Sequence, residues 1–372
     1  MGTANTSPPE ILIFSDEYPP DGGGAGIVAK QLGKGLKALG KRVVMLVGKS
    51  PRGRAEEADT VECPRIKLFW PLAYAYALWR MRAWRIPHFV LNDYISAYVA
   101  GLFFSQAMLR RSVIIVHGND SKFFFARKTR KHRIYQYGFF YARAVRHCKQ
   151  IVCASRYAME EYLKFGQGKV DAAKVTYAYM GLDPQDLGTP NRSKADLGIP
   201  ETDVLIFSAS RLIEEKGLMD MLHLFPATLA AMPRLHWHIA GDGPLRAEME
   251  AFIREQGLGD RVKLLGHLNR SAMADHYHNA DLFWLLSKRH GETFGLVYIE
   301  AGWFGCPCVA LRMAGVPEAI DEGVSGYFHE PGTEAAPVLE KALALSRDAC
   351  QAHARKFESL AFAKAINAYL ES

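Results

Sequence analysis

At 372 residues the chain is long enough for two domains, each with its own core. Its 49% apolar and 23% charged residues are ordinary for a globular protein, and no run of about 18 uncharged apolar residues exists to span a membrane. The net charge of +7 is unevenly placed, and the six cysteines form no paired CxxC spacing, so they read as buried thiols in a reducing cytosol rather than as metal ligands.

The first ten residues are polar, with Pro8-Pro9, and no secretory signal is expected. Ile11 to Phe14 reads as a strand, followed by the loop Pro19-Pro-Asp-Gly-Gly-Gly-Ala-Gly26 and an amphipathic helix from Ile27 to Leu39. Glycines such as Gly23 and Gly24 let backbone N–H groups approach a phosphate or an acceptor. The loop lacks the spaced GxGxxG of dinucleotide binders, so NAD and FAD are poorly supported.

Arg42 to Val47, His88 to Leu91, Ser112 to Val116 and Ile151 to Ala154 read as further strands, with Ser155 as an N-cap for a helix over 156–164. The apolar region Phe69 to Phe104 is interrupted by Arg80, Arg82, Arg85, Pro87, His88 and Asp93. Val116-His117-Gly-Asn-Asp120 ends one strand, and a histidine there can bond a sugar hydroxyl or stabilise developing charge. The segment Lys122–Lys149 carries nine lysines and arginines and no acid, interleaved with Phe123, Phe124, Phe125, Tyr135, Tyr137, Phe139, Phe140 and Tyr141. That mixture suits an anionic membrane surface; a solvated basic face with its aromatics turned into the core is the other reading, and nucleic acid is not expected.

The stretch Gly181 to Pro200, rich in Gly, Pro, Asp and Asn, reads as the domain boundary. Strands then restart at 204–208, 236–240, 262–265, 282–286 and 307–310. Alternating strands and helices in both halves predict an α/β protein of two Rossmann-like, doubly wound parallel sheets facing a central cleft. Ser210-Arg211-Leu-Ile-Glu-Glu-Lys216-Gly217 follows one strand, and Arg211 and Lys216 at that spacing can both reach one diphosphate. Gly291-Glu-Thr-Phe-Gly-Leu-Val-Tyr-Ile-Glu300 leaves another and opens a helix predicted over 298–304. Glu292 stands at its mouth and Glu300 about two turns on, a separation suited to a ligand with hydroxyls at both ends, such as a nucleotide sugar. No Asp-x-Asp metal pair occupies a suitable loop, so no metal and no cofactor are expected.

The motifs taken together resemble the retaining glycosyltransferase family 4, nearly end to end. Tyr18 to Gly24, Ala240-Gly-Asp-Gly-Pro-Leu245, Val262-Lys-Leu-Leu-Gly-His-Leu268, the Glu292/Glu300 pair as an E-x7-E motif, Ala314 to Glu318 and Gly323 to Tyr327 stand in that family's order. The resemblance implies the GT-B fold, with an acceptor-binding domain at 1–183, a nucleotide-sugar domain at 184–357, and a C-terminal helix at about 358–372 returning to the first. It further implies that Arg211 and Lys216 neutralise the donor diphosphate and that Glu300 bonds the ribose. Glu292 with the N–H groups of Phe294, Gly295 and Leu296 would hold the sugar and phosphate, Gly241 would lie near the nucleotide, and His267 and Leu268 would offer backbone to the base. His117 would stand beside the reacting face of the sugar, with Gly23 and Gly24 approaching the phosphate or acceptor. Met180 stands where the family often has Asn, so no ligand role is assigned there.

The expected activity is retaining, metal-independent transfer of a hexosyl unit from a UDP- or GDP-sugar. The expected acceptor is a lipid-linked or membrane-proximal glycan in cell-envelope polysaccharide or glycolipid synthesis, with the protein cytoplasmic or peripheral on the inner face of the membrane. A soluble small-molecule acceptor and a GT-B sugar-nucleotide epimerase are the alternatives.

Overall fold

The computed structural model describes residues 8–20, 23–51, 53–55, 57–66, 69–118, 123–124, 129–288 and 292–372. Two compact units are formed, one from Met1–Gly181 with Ser359–Ser372 and one from Leu182–Glu358.

The first unit holds strands β1 (Ile11–Ser15), β2 (Val43–Gly48), β3 (Thr60–Cys63), β4 (His88–Leu91), β5 (Ser112–Val116), β6 (Gln150–Cys153) and β7 (Val175–Tyr177). They pair in parallel in the order β3-β2-β1-β4-β5-β6-β7. β1 and β5 are apolar runs buried at every residue, as strands covered on both faces require. The helix Gly24–Ala38 follows β1 and buries Val28, Leu32 and Leu36 on one face. The C-terminal helix Ser359–Glu371 lies against it: a Cβ on Gly35 would come within 2.6 Å of the Ala363 Cβ. Lys149 Nζ donates to the Leu370 carbonyl at 3.0 Å, and Lys41 pairs with Glu371.

The second unit holds β8 (Val204–Ala209), β9 (Leu235–Ala240), β10 (Val262–Gly266), β11 (Leu282–Leu285), β12 (Cys308–Ala310) and β13 (Gly326–Phe328), parallel in the order β10-β9-β8-β11-β12-β13. Trp237 and Trp284 meet at 5.2 Å in its core. The buried Ser208 hydroxyl accepts from Trp237 Nε1 at 2.9 Å and donates to the Trp284 carbonyl. In each sheet the strand order reverses beside the unit's first strand. The reversal places one crevice outside the carboxyl ends of β1 and β4 and another outside those of β8 and β11.

The doubly wound, parallel architecture is the one the alternation predicts. β3, β7 and β13 were not predicted: they are three- or four-residue strands, all at sheet edges, too short for a periodic signal. The helix after the glycine loop starts at Gly24 rather than Ile27, and that of the E-x7-E segment at Leu296 rather than Tyr298. In the second case Gly295 caps the helix at φ +92°, a conformation that glycine adopts without strain. All six cysteines are free and buried. No described helix is long and apolar enough to cross a membrane.

Most of the described aromatic rings of the basic segment pack inward. Phe124 and Tyr141 are buried and stacked at 4.1 Å, and Phe123, Tyr135, Tyr137 and Phe140 pack against them as partly buried rings. Arg143 donates to the carbonyls of Gly101 and Phe104 at 2.6 and 2.8 Å, fixing the helix Tyr137–His147 against the helix Tyr94–Phe103. Arg130, Lys131, Arg133, Ile134, Phe139 and Arg146 remain exposed. Lys122, Phe125, Arg127 and Lys128 lie outside the described residues.

Candidate functional site

In the second unit the loops that leave the strands are laced together at the carboxyl edge of the sheet. Ser210 N donates to the Ala240 carbonyl at 3.1 Å, Leu212 N to Asp242 at 3.0 Å, and Gly241 N to Gly266 at 2.8 Å. Gly241 has φ +125°, and a Cβ there would fall 1.8 Å from the Ser210 carbonyl oxygen, so only glycine fits. This stitching sets Arg211, Gly241, His267 and Leu268 at the ends of three adjacent strands. Arg211 and His267 are exposed and Leu268 is half-buried.

The loops after β8 and β11 close on each other across the reversal point. Lys288 N donates to the Glu215 carbonyl at 2.9 Å, and a Cβ on Gly217 would lie 2.1 Å from the Leu286 carbonyl oxygen. Beside that contact Lys216 Nζ donates to Glu292 Oε2 in a close ion pair, the side chains 20% and 16% exposed. The sequence assigned Lys216 to the diphosphate and Glu292 to the sugar and phosphate; the structure pairs the two side chains directly. Gly315 N in turn donates to the Glu292 carbonyl at 3.1 Å, holding the E-x7-E loop from its other side.

Phe294 is buried, its ring 5.4 Å from that of Phe357. Its side chain anchors the loop, so only its backbone is a candidate for ligand contact. Gly295 and Leu296 open the helix Leu296–Trp303, whose earliest N–H groups precede the i→i−4 ladder, while Tyr298 N already donates to the Gly295 carbonyl at 3.0 Å. Glu300, one turn in and half-buried, accepts from the Tyr277 hydroxyl at 2.9 Å. Desolvation pushes its carboxyl up to about 7, and the nearby Glu292 charge adds to the rise while the Tyr277 hydrogen bond opposes it. Tyr277 escaped the sequence reading; it sits on the helix Arg270–Asn279, and nothing in the local sequence ties it to Glu300.

In the first unit the corresponding crevice gathers three strand ends. His117, just past β5, donates from Nε2 to the Asn92 carbonyl at 2.6 Å. Desolvation holds its pKa down to about 4, so near neutral pH it is uncharged, with Nδ1 as its acceptor nitrogen. It can therefore receive a hydroxyl proton, but it does not carry the positive charge that one of the sequence-based roles needs. Asn92 Nδ2 bridges Ser15 Oγ at 3.0 Å and the Ala25 carbonyl at 2.9 Å, tying β1 to the first turn of the following helix. Its buried Oδ1 has no partner among the described residues.

Next to it, Asp93 was read from sequence only as an interruption of an apolar run. Its carboxylate accepts from Ser15 Oγ at 3.1 Å and Glu17 N at 3.3 Å, also from Asp16 N, and caps the helix Tyr94–Phe103 through Ser96 N at 2.7 Å. Asp16 is held by Arg65 at 3.2 Å and by the Tyr74 hydroxyl. Glu17 Oε2 accepts from Gly23 N at 3.0 Å, so the N–H predicted to meet a phosphate is already engaged. Gly24 differs: a Cβ there would meet nothing within 4 Å among the described residues, so their packing leaves that space open. Asn119, Asp120 and Gly291, which flank the motifs, lie outside the described residues, as do Asp21 and Gly22. Met180 is buried.

Comparison with known proteins agrees with this fold. Residues 22–186 match the family described as Glycosyltransferase Family 4, and residues 191–357 match Glycosyl transferases group 1. The N-acetyl-alpha-D-glucosaminyl L-malate synthase of Bacillus anthracis is 31% identical over 155 residues, 42% of this chain and 39% of that protein. The D-inositol 3-phosphate glycosyltransferase of Mycolicibacterium smegmatis is 30% identical over 217 residues, 54% of this chain and 48% of that one. The chain thus spans less than half the length of these two curated relatives. Among solved structures, Anabaena Alr3699/HepE in complex with UDP superposes with a TM-score of 0.74 at 21% identity, over 97% of this chain and 99% of that one.

Proposed function

We propose that this chain, which belongs to the group 1 glycosyltransferases of family 4 and has their GT-B fold, transfers a hexosyl unit from a UDP- or GDP-sugar with retention at the anomeric carbon. The observation that carries the reading is the Lys216–Glu292 ion pair at the reversal point between β8 and β11. A half-buried cation held by a carboxylate can exchange partners. When a diphosphate arrives, Lys216 turns to it and releases Glu292 to accept from sugar hydroxyls. Arg211, exposed on the same loop, adds a second positive charge, and the first-turn N–H groups at Gly295 and Leu296 add a third source of positive potential.

The chemistry follows from where charge grows. The bond from the anomeric carbon to the phosphate oxygen breaks and the electron pair leaves with the diphosphate, so groups fixed around that diphosphate lower the barrier. The acceptor oxygen bonds the anomeric carbon from the same face, and its proton passes to the departing phosphate. Arg211, Lys216 and the helix start do what a divalent metal does elsewhere, and the reaction is metal-independent. Gly241, His267 and Leu268 supply the edge that takes the nucleoside, and Glu300 takes the ribose. Alr3699/HepE, whose structures include complexes with UDP and with UDP-glucose, is in keeping with a uridine donor.

A screen of UDP-, GDP- and ADP-sugars by thermal shift tests this reading. A matched donor should raise Tm, chelator should leave both the shift and the turnover unchanged, and a flat response to all three would remove the donor assignment.

Glu300 gives a second test. Its carboxyl sits near 7, and the ionised form is the better acceptor for ribose hydroxyls. KM for the donor should therefore fall as pH rises through about 7. Tyr277→Phe removes the hydrogen bond that lowers this pKa and should move the midpoint to higher pH. Identical profiles in the two proteins would take the ribose role from Glu300.

For the acceptor, the first unit offers neutral His117, the open space at Gly24 and the bases Arg130, Lys131 and Arg133. These favour a lipid-linked or membrane-proximal glycan, with the enzyme working at the inner face of the cell membrane.

A further inference from the structure

The helix Trp70–Arg80 buries Pro71, Tyr74, Ala77 and Leu78. A surface helix ordinarily turns a polar face to water. This one turns Leu72, Tyr76 and Trp79 outward at i, i+4 and i+7, with 57%, 60% and 63% of each residue exposed. Ile66 and Phe69 before it and Trp84 after it are exposed as well. Among the described residues, six of the eleven exposed large hydrophobic ones thus fall within 66–84, so they form a patch rather than a scatter. A groove of about 660 Å³ runs alongside, between Leu72 and Tyr76 of the helix, Ile66 and Phe69, and Val61 of β3, the outermost strand of the sheet.

The polar chemistry of the patch narrows what can cover it. From Pro64 to Asn92 the sequence has Arg65, Lys67, Arg80, Arg82 and Arg85 and no Asp or Glu. Arg80, Arg82 and Arg85 are all exposed. From Ile66 to Arg85 there is also no Ser, Thr, Asn or Gln. A specific protein interface carries about one hydrogen bond per 100–200 Å², and such a patch has little beyond its tyrosine hydroxyl and indole N–H groups to make neutral ones. Arg65 is paired with Asp16 and Glu62 lines the groove, whereas Arg80, Arg82 and Arg85 make no ion pair among the described residues; apolar side chains, interfacial aromatics and such cations are what a charged lipid surface takes up.

We propose that Ile66 and residues 69–85 dock this protein on an anionic phospholipid membrane. Leu72, Phe69 and Ile66 enter the boundary of the acyl chains, Tyr76, Trp79 and Trp84 rest at the headgroups, and the arginines reach the lipid phosphates on their long stems. The inference deepens the membrane-proximal acceptor reading above and rests on it. It also moves the principal contact away from the segment Lys122–Lys149, where Phe124 and Tyr141 are core. The two regions adjoin, since the Trp70 and Tyr135 rings lie 6.3 Å apart.

Flotation of the full chain with vesicles of phosphatidylcholine, alone or mixed with phosphatidylglycerol, tests it. The protein should float with the mixed vesicles, less so as salt rises, and not with phosphatidylcholine alone. W79S/W84S and R80Q/R82Q/R85Q should each lower the bound fraction about tenfold, whereas R130Q/K131Q/R133Q, on the adjoining region, should lower it far less. All three variants should keep the parent's thermal shift with a nucleotide sugar, which reports folding and the donor site separately. Donor-induced shifts without flotation would overturn the membrane inference and leave the donor reading standing; flotation without any such shift would do the reverse. Equal binding to neutral vesicles, loss of binding only in the R130Q set, or self-association abolished by W79S/W84S in a protein that never floats would each overturn it.

Discussion

Lys216→Ala should lower the turnover of nucleotide sugar by about 10²–10³-fold in kcat/KM, the cost of losing one fixed group that stabilises growing charge. That factor is about 3–4 kcal/mol of transition-state stabilisation. The effect should fall mainly on kcat, because the charge on the diphosphate increases as the anomeric bond breaks. Arg211→Ala should cost less: Arg211 is exposed and screened by water, whereas the Lys216 side chain is 20% exposed and acts through a less polar medium.

The substitution also strands Glu292, so a stability loss accompanies the kinetic one. For a half-buried pair that loss is about 1–2 kcal/mol, between the values for surface and buried ion pairs. The double variant Lys216→Ala, Glu292→Gln separates the two effects. It should regain most of the stability in urea unfolding and none of the rate. If the double variant recovered activity as well, the pair would be a structural tie and the diphosphate would be bound elsewhere.

Why the pair escaped the sequence reading is a matter of distance along the chain. Arg211, Lys216, Glu292 and Glu300 were each legible, because each sits in a strand–loop–helix context with its own residue signature. What joins Lys216 to Glu292 is the contact of Gly217 with the Leu286 carbonyl and the Lys288–Glu215 hydrogen bond, between loops more than 60 residues apart. No local pattern encodes that. The strands were read well where both faces are buried, as in Ser112–Val116, and missed where they are short, as in Val175–Tyr177. The aromatics between Lys122 and Lys149 left two readings open, since composition is the same whether rings point inward or outward; only their packing on the Tyr94–Phe103 helix decides it.

Asp93 is the position where the structure adds most. One buried carboxylate caps the helix Tyr94–Phe103 and also holds the backbone at Asp16 and Glu17, and Glu17 in turn holds Gly23 N. Asp93→Ala removes a cap worth about 0.5–2 kcal/mol and leaves buried donors that cost about 1–3 kcal/mol each. Allowing for relaxation of the loop, the first unit should lose on the order of 3–5 kcal/mol. Because two units unfold, the loss is best read as faster hydrogen exchange across residues 15–26 and 94–103, with the second unit unchanged.

The pH dependence has a definite sign. Burial, reinforced by the Asp16 charge, raises the Asp93 carboxyl from 3.8 to about 7. Below 3.8 it is protonated in both folded and unfolded chains. Between there and about 7 the folded form keeps its proton while the unfolded form has lost it, so stability falls as pH rises and levels off above about 7. Asp93→Asn removes this titration. Relative to Asp93→Asn, the parent should therefore lose stability on the order of 3 kcal/mol between about pH 4 and pH 8, a comparison in which the other titrating groups cancel. A parent-to-variant gap that stayed constant over this range would mean that Asp93 is ionised throughout. The glycine loop would then be held by a permanent charge rather than by a carboxyl that titrates near neutrality.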